Sequence, residues 1–429
     1  MTINTNRRTF LLGSAATIAA AGMGVRATLA QEATVRMFWW GSARRNELQT
    51  AINTLYEQHY PNIAILGETA AFNDYWPRLA TQVAGGNPPD VINMDYRYLA
   101  EYGGRGVLLP LDQYVGGALG VADFGPGLDG GRMNGTLYAV PCGVNTAAMV
   151  VNRGAYEEVE LEPPSAAMTW TEFSDNAVAL TETTERPHYY GSSDGSGKEP
   201  VLEVWLLQRG KSLYTTEGQL GFTAEDATEW FQFWQDLRER GGCPPPDVVA
   251  LDLDTFETGL VNTGYAALNF AFSSNLIGYQ SLNPERLTLA TYPVPDTNPQ
   301  PGHYLKPAML FSLAAETQVV EESLDYLTFL LTDPEATKIM GLERGVPLSP
   351  AVQENIAPTL DDQQREMLDF IANLDDTVLA DLPPLPPQGA GEAETILLRI
   401  SEEVGFGVTT PEAAGEQLVS EVSATLQRV

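Results

Sequence analysis

Residues 34–94 read TVRMFWWGSARRNELQTAINTLYEQHYPNIAILGETAAFNDYWPRLATQVAGGNPPDVINM, and the order of patterns in this stretch decides the fold. Thr34 to Trp40 has the length and apolar content of a buried strand. From Asn46 to Tyr60 the apolar residues Leu48, Ile52, Leu55 and Tyr56 recur at the helical period, and Pro61-Asn62 breaks the repeat. Ile63 and Ile65 then alternate as in a strand. Trp76, Leu79 and Val83 mark a second helix, closed by Gly85-Gly86, and Asp90 to Met94 is a third strand. The pattern β-α-β-α-β predicts an α/β fold with a largely parallel sheet flanked by helices.

Outward from this unit the chain keeps alternating. A glycine-rich polar stretch, 116–135, leads through Thr136–Pro141 to an apolar strand, Ala147 to Val151. Thr169 is placed to cap a helix, with Glu172 three residues on completing a capping box. Trp230, Phe231, Trp234 and Leu237 lie at helical spacing and read as core. Thr332-Asp333-Pro334-Glu335 ends one helix and starts another, residues 382–387 form a proline-rich loop, and a helix is expected over about the last thirty residues. The full 429 residues exceed one ordinary core and fit about two domains.

Acids outnumber bases 56 to 24, for a formal charge of −32. The first thirty residues hold Arg7, Arg8 and Arg26 and no acid, so without them 21 bases face 56 acids, or −35. Such a surface repels phosphate backbones and anionic lipid, which excludes nucleic acid as the expected partner. Arg7-Arg8-Thr9-Phe10-Leu11 carries a twin-arginine export signature. An apolar, small-residue run follows it, and Thr28-Leu29-Ala30 puts small residues at the −3 and −1 positions of a cleavage site. Residues 1–30 are therefore expected to be a signal peptide, with a soluble periplasmic protein beginning near Gln31 and no lipoprotein cysteine. Export permits a disulfide between Cys142 and Cys243, and two separate thiols fit equally well.

The pieces of sequence that follow carry a resemblance: Trp39-Trp40-Gly41; Pro89-Asp90-Val91-Ile92; Gly106-Val107-Leu108-Leu109-Pro110-Leu111-Asp112; Asn134-Gly135-Thr136-Leu137-Tyr138-Ala139-Val140-Pro141; Asn152-Arg153; Met168-Thr169-Trp170-Thr171-Glu172-Phe173; and residues 327–336 followed by Gly345-Val346-Pro347. In this order and spacing they resemble the extracellular solute-binding proteins of ABC importers, of the maltose-binding, carbohydrate-binding type. The resemblance implies a two-lobed fold with a ligand cleft between lobes and hinge crossings. One lobe is expected over 33–140 and 286–331, the other over 141–285 and 332–429. It implies a monomeric receptor with no cofactor and no metal, which closes over a sugar and hands it to a membrane permease. The chain departs from the maltose-type pattern at Asn145, where those proteins carry a cleft carboxylate, and at Phe270 to Phe272, where they carry a stacking Trp.

A sugar site needs Asp, Asn, Arg and Ser edges together with a flat ring. Trp39, Trp40, Gly41 and Ser42 lie at the C-terminal end of the first strand, where ligands of open α/β sheets sit. Adjacent strand residues face opposite ways, so one indole is expected in the core and the other, Trp40 by preference, in the cleft. Arg44 follows in the turn. Asp95, Tyr96 and Arg97 end the third strand on the same edge, with a helix N-cap as the alternative role of Asp95. Asn145 follows the first crossing, and Phe272 and Ser273 lie at the second. His303, Tyr304 and Arg344 complete the candidates, Arg344 mattering most if the solute is acidic or phosphorylated.

An exported glycan-acting enzyme is the competing class. Gly191-Ser192-Ser193-Asp194-Gly195 matches a nucleophile elbow, but Gly195-Ser196-Gly197 and Pro200 delay the helix that such a site needs, and the stretch reads as a surface turn. Asp252-Leu253-Asp254 resembles the start of a calcium loop, with Phe256 and Glu257 where a ligand and the glycine belong.

Overall fold

The computed structural model describes residues 33–41 and 43–428. The expected signal peptide and Ser42 lie outside them. Ten strands are β1 (Ala33–Trp40), β2 (Ile63–Ala70), β3 (Val91–Met94), β4 (Arg132–Met133), β5 (Thr136–Leu137), β6 (Val140–Asn145), β7 (Ala147–Asn152), β8 (Leu268–Phe272), β9 (Leu287–Ala290) and β10 (Lys306–Leu313). They build a five-stranded sheet in the order β2-β1-β3-β10-β6, a three-stranded sheet β8-β7-β9, and the small hairpin β4-β5. β1 runs parallel to β2 and β3, as the opening pattern predicts, whereas β10 runs antiparallel to β3 and β6.

The chain passes from the first sheet to the second through one residue, Thr146, between β6 and β7. It returns between β9 and β10, and Lys306 pairs with Asn145 in the ladder, so the two crossings meet at one place. The lobe boundaries differ from those expected. β9 is hydrogen-bonded into the second sheet through β7, which moves the return crossing from 286 to 291–305. Ala336, in the helix Pro334–Met340, packs in the core beneath the first sheet, so the chain stays there past 331. Composition does not change where one sheet gives way to another, and only pairing locates the exchange.

Both faces of the first sheet are covered. Val35, Met37 and Trp39 face a core with Ile52, Tyr56, Leu324 and Leu327. Phe38 and Trp40 face another, with Tyr75, Trp76, Leu99 and Tyr102. The second sheet packs on Trp170, Phe173, Trp205, Trp230, Phe231 and Trp234. Here the predicted stripe of the helix Ala224–Glu239 is buried, and the Thr169–Glu172 capping box forms. The expected last helix is two, Ala390–Gly405 and Pro411–Leu426, broken where Gly407 takes φ 68°. Among the described residues no helix is long and apolar enough to cross a membrane. Cys142 and Cys243 are free thiols; Cys243 lies in the second core, and Cys142 packs against the first and donates to the Met309 carbonyl.

Candidate functional site

Where the crossings meet, a cavity of about 170 Å³ opens between the two sheets. The first side supplies Asp95, Tyr96 and Arg97, the second Glu199, Phe272, Ala390 and Glu394, and the crossings Asn145 and Lys306. Asp95 stands where β3 ends and caps the helix Tyr96–Gly104 by accepting from the Arg97 amide at 2.9 Å. It thus takes the cap role named as its alternative, and a cap at a strand's C-terminal end also faces the crevice. Tyr96 is buried and its hydroxyl donates to the Pro383 carbonyl at 3.2 Å. Arg97 is exposed and lies 3.9 Å from Glu394, an ion pair that spans the cavity.

Asn145 donates to Ser274 at 3.2 Å, while its Oδ1 is buried with no donor. Phe272, at the end of β8, offers a ring face to the cavity, and the Lys306 ammonium lies 4.8 Å from its centroid. Glu199 opens the helix Glu199–Leu207, and among the described residues its carboxyl makes no hydrogen bond or ion pair. Burial, then Glu203 and Glu394, raise its pKa to about 8 against the opposing pull of Lys306 and Arg97. Glu203, one turn on, is raised by burial although the Tyr304 hydroxyl donates to it.

A larger recess of about 570 Å³ continues into the second half of the molecule and shares Glu199, Phe272 and Glu394 with the first cavity. Its floor is the stretch expected as a surface turn. Ser192, Ser193, Asp194 and Ser196 are instead buried. Asp194 binds Arg238, whose Nη2 is buried without a partner. Polar residues in a glycine-rich run look like surface, and only the partner Arg238, on a distant helix, reveals otherwise. Lys198 binds Asp254 at 2.8 Å and Asp252 at 3.8 Å, so the calcium-like acids serve an ammonium. Burial opposes charge on Lys198, but the two carboxylates outweigh it and raise its pKa. Among the described residues no group of acids, His and Cys is placed to hold a metal.

Asp95, Tyr96, Arg97, Asn145 and Phe272 therefore line one cavity, and eight other candidates among the described residues do not. Trp39 and Trp40 are 3 % and 5 % exposed, one on each covered face of the sheet. Gly41 packs against the Arg45 side chain, which a Cβ would approach to 2.5 Å. Arg44 is exposed and pairs with Glu47 at 2.8 Å. Ser273 is fully buried and accepts from the Thr146 amide. His303 is buried, accepts from the Tyr292 amide at 3.0 Å, and is held neutral by burial, which lowers its pKa to about 4. Arg344 is 2 % exposed and donates to Asn93 and Gln49 at 2.8 and 3.0 Å; it braces the first core and is out of the solute's reach. Tyr304 acts one layer back, through Glu203. Glu199, Glu394 and Lys306 were missed, although Glu199-Pro200 at a helix start behind a glycine-rich turn is a signal that could have found the first.

The chain belongs to the bacterial extracellular solute-binding proteins, whose family pattern matches residues 51–365. An extracellular solute-binding protein of family 1 from Alicyclobacillus acidocaldarius superposes with a TM-score of 0.79 at 27 % identity, covering 92 % of this chain and 98 % of that one. A periplasmic oligogalacturonide binding protein from Yersinia enterocolitica gives 0.77 at 22 % identity, over 92 % and 99 %. A binding protein of Brucella abortus is 20 % identical over 208 residues, 48 % of this chain and 49 % of that relative. The chain thus spans about half the length of the curated relatives it matches.

Proposed function

We propose that the protein is the exported, monomeric receptor of an ABC importer, which takes a sugar or oligosaccharide between its two halves and passes it to a membrane permease. One observation carries this reading: Asp95, Tyr96 and Arg97 from one half meet Phe272, Glu199 and Glu394 from the other, around a space floored by both crossings. Carboxylates, an amide, cations and the rings of Tyr96 and Phe272 together suit a ligand with hydroxyls in both roles and apolar C–H faces. The adjoining recess, about 570 Å³, falls in the range of roughly 300–1,000 Å³ typical of small-molecule sites and favours more than one sugar ring. The oligogalacturonide binding relative supports a glycan as solute. An acidic or phosphorylated solute is less well matched, because the acids Asp95, Glu199 and Glu394 outnumber the cations Arg97 and Lys306 around the space it would fill.

Calorimetric titration against a panel of short neutral, acidic and amino glycans tests the reading. At least one glycan should bind and be recovered intact on denaturation; a panel without any binder, or a cleaved glycan, overturns it. Hinge bending at Thr146 and within 291–305 closes the halves on the solute, which favours the closed state by its differential affinity. Small-angle scattering should accordingly give a smaller radius of gyration with saturating glycan than without, and an unchanged radius counts against closure. Delivery follows the twin-arginine route in this reading. Replacing Arg7 and Arg8 by Lys should hold the precursor in the cytoplasm, and undiminished periplasmic protein would rule that route out.

A further inference from the structure

We propose, resting on the glycan reading above, that the solute carries a protonated amine, seated between the Phe272 ring and the Glu199 carboxylate. The cavity already holds one ammonium in this way. Lys306 places its Nζ 4.8 Å from the Phe272 centroid, the geometry of an aromatic face attracting a cation. The lining also presents acceptors that have no donor. Asn145 Oδ1 is buried with no donor, and among the described residues the Glu199 carboxyl has neither a hydrogen bond nor an ion pair. Arg97 pairs loosely with Glu394 at 3.9 Å, and the Lys306 ammonium sits over the ring. An ammonium brings three donors and a positive charge and no acceptor, which is what Asn145 Oδ1 and the Glu199 carboxyl lack.

The electrostatics agree in sign. The charged groups facing Glu199 are Glu203 on its own helix, Glu394 on the helix Ala390–Gly405, Arg97 across the cavity and Lys306 at the crossing, and their net effect with burial is to raise its pKa to about 8. Burial, and then the same carboxylates, raise the pKa of Tyr214 and Tyr304. Below its own pKa Glu199 is mostly a neutral acid; a cation beside it draws the proton off and holds it as the carboxylate, whereas a second acid favours the neutral form. The oligogalacturonide of the Yersinia relative is consequently not the solute expected here.

The test compares short glucosamine oligomers, the same oligomers N-acetylated, and galacturonic acid oligomers, titrated at pH 6, where the amine is charged and its seating must displace the proton of Glu199. The amino form should bind at least about tenfold more tightly than the acetylated form, as one charge-assisted hydrogen bond provides, and the galacturonides most weakly. Glu199→Gln should shrink the amino preference to within about threefold, and Glu394→Gln, on an exposed side chain, serves as a second variant if the first fails to fold. Equal binding of the two forms, tighter binding of galacturonides, or a preference that survives both variants overturns the amine while leaving the glycan receptor standing. Absence of binding by every oligomer overturns the amine, and the glycan receptor falls with it only if the neutral glycans of the wider panel also fail to bind.

Discussion

Trp40→Ala and Trp39→Ala should each destabilise the protein by about 3–5 kcal/mol, the usual cost of deleting a buried Trp, and neither should weaken solute binding by the molecules that remain folded. Trp40 packs edge-on to Phe72 and Tyr75 at 5.5 and 5.0 Å between centroids and lies 5.6 Å from Trp76. Removing it takes burial and several ring contacts from one cluster and opens a void under the sheet. Trp39 lies against Gly67 on the opposite face, so close that a Cβ there would come within 2.7 Å of the indole, and its Nε1 donates to Asn46 at 2.9 Å. Its loss leaves a cavity that Gly67 cannot fill. Urea denaturation of both variants, with titration of the solute found by the glycan panel, decides the matter. A variant that stays within ~1 kcal/mol of the parent yet loses more than tenfold in affinity, about 1.4 kcal/mol, would put that indole in the cleft after all.

Phe272→Ala should behave in the opposite way. The ring is half-buried at the junction of the two cavities, and the backbone around it is fixed independently, by the β7 ladder and by the Asn275 side chain that accepts from the Phe272 amide at 2.9 Å. Truncation should leave the fold nearly as stable as before. A central aromatic anchor is worth roughly 2–4 kcal/mol to binding, so affinity should fall by about thirty- to several-hundred-fold at 1.4 kcal/mol per decade. Phe272→Tyr keeps the ring and should keep the affinity within a few fold. If the Ala variant is folded and binds within about threefold of the parent, under ~0.7 kcal/mol, the ring is no platform and the solute is held by the polar edges alone.

These two outcomes together exchange the part first expected of Trp40 for that of Phe272, and the exchange marks where sequence reading stops. The chain's own pattern determined the β-α-β-α-β opening, the parallel pairing of β1 with β2 and β3, the Thr169 cap and the buried stripe of Trp230 and Trp234, because strand alternation, helical period and capping are local properties of a few neighbouring residues. It also placed Asp95 at a strand end, and Asn145 and Phe272 beside the crossings, for the same reason. Alternation correctly sent Trp39 and Trp40 to opposite faces, but it could not say that both faces are covered. That depends on the helix Phe72–Ala84 closing over one and Val320–Thr332 over the other.

The remainder belongs to tertiary structure alone. Glu199, Lys306 and Glu394 are far apart in sequence and share no motif; the antiparallel return of β10 against β6 and the packing of the last two helices bring them to one cavity. Arg344 sits in a loop by sequence and in the core by structure, because Asn93 and Gln49, some 250 and 295 residues earlier, supply its acceptors. Burial of a charge, and the raised pKa of Glu199 that follows from it, are properties of surroundings assembled from distant segments, and no single stretch of the chain encodes them.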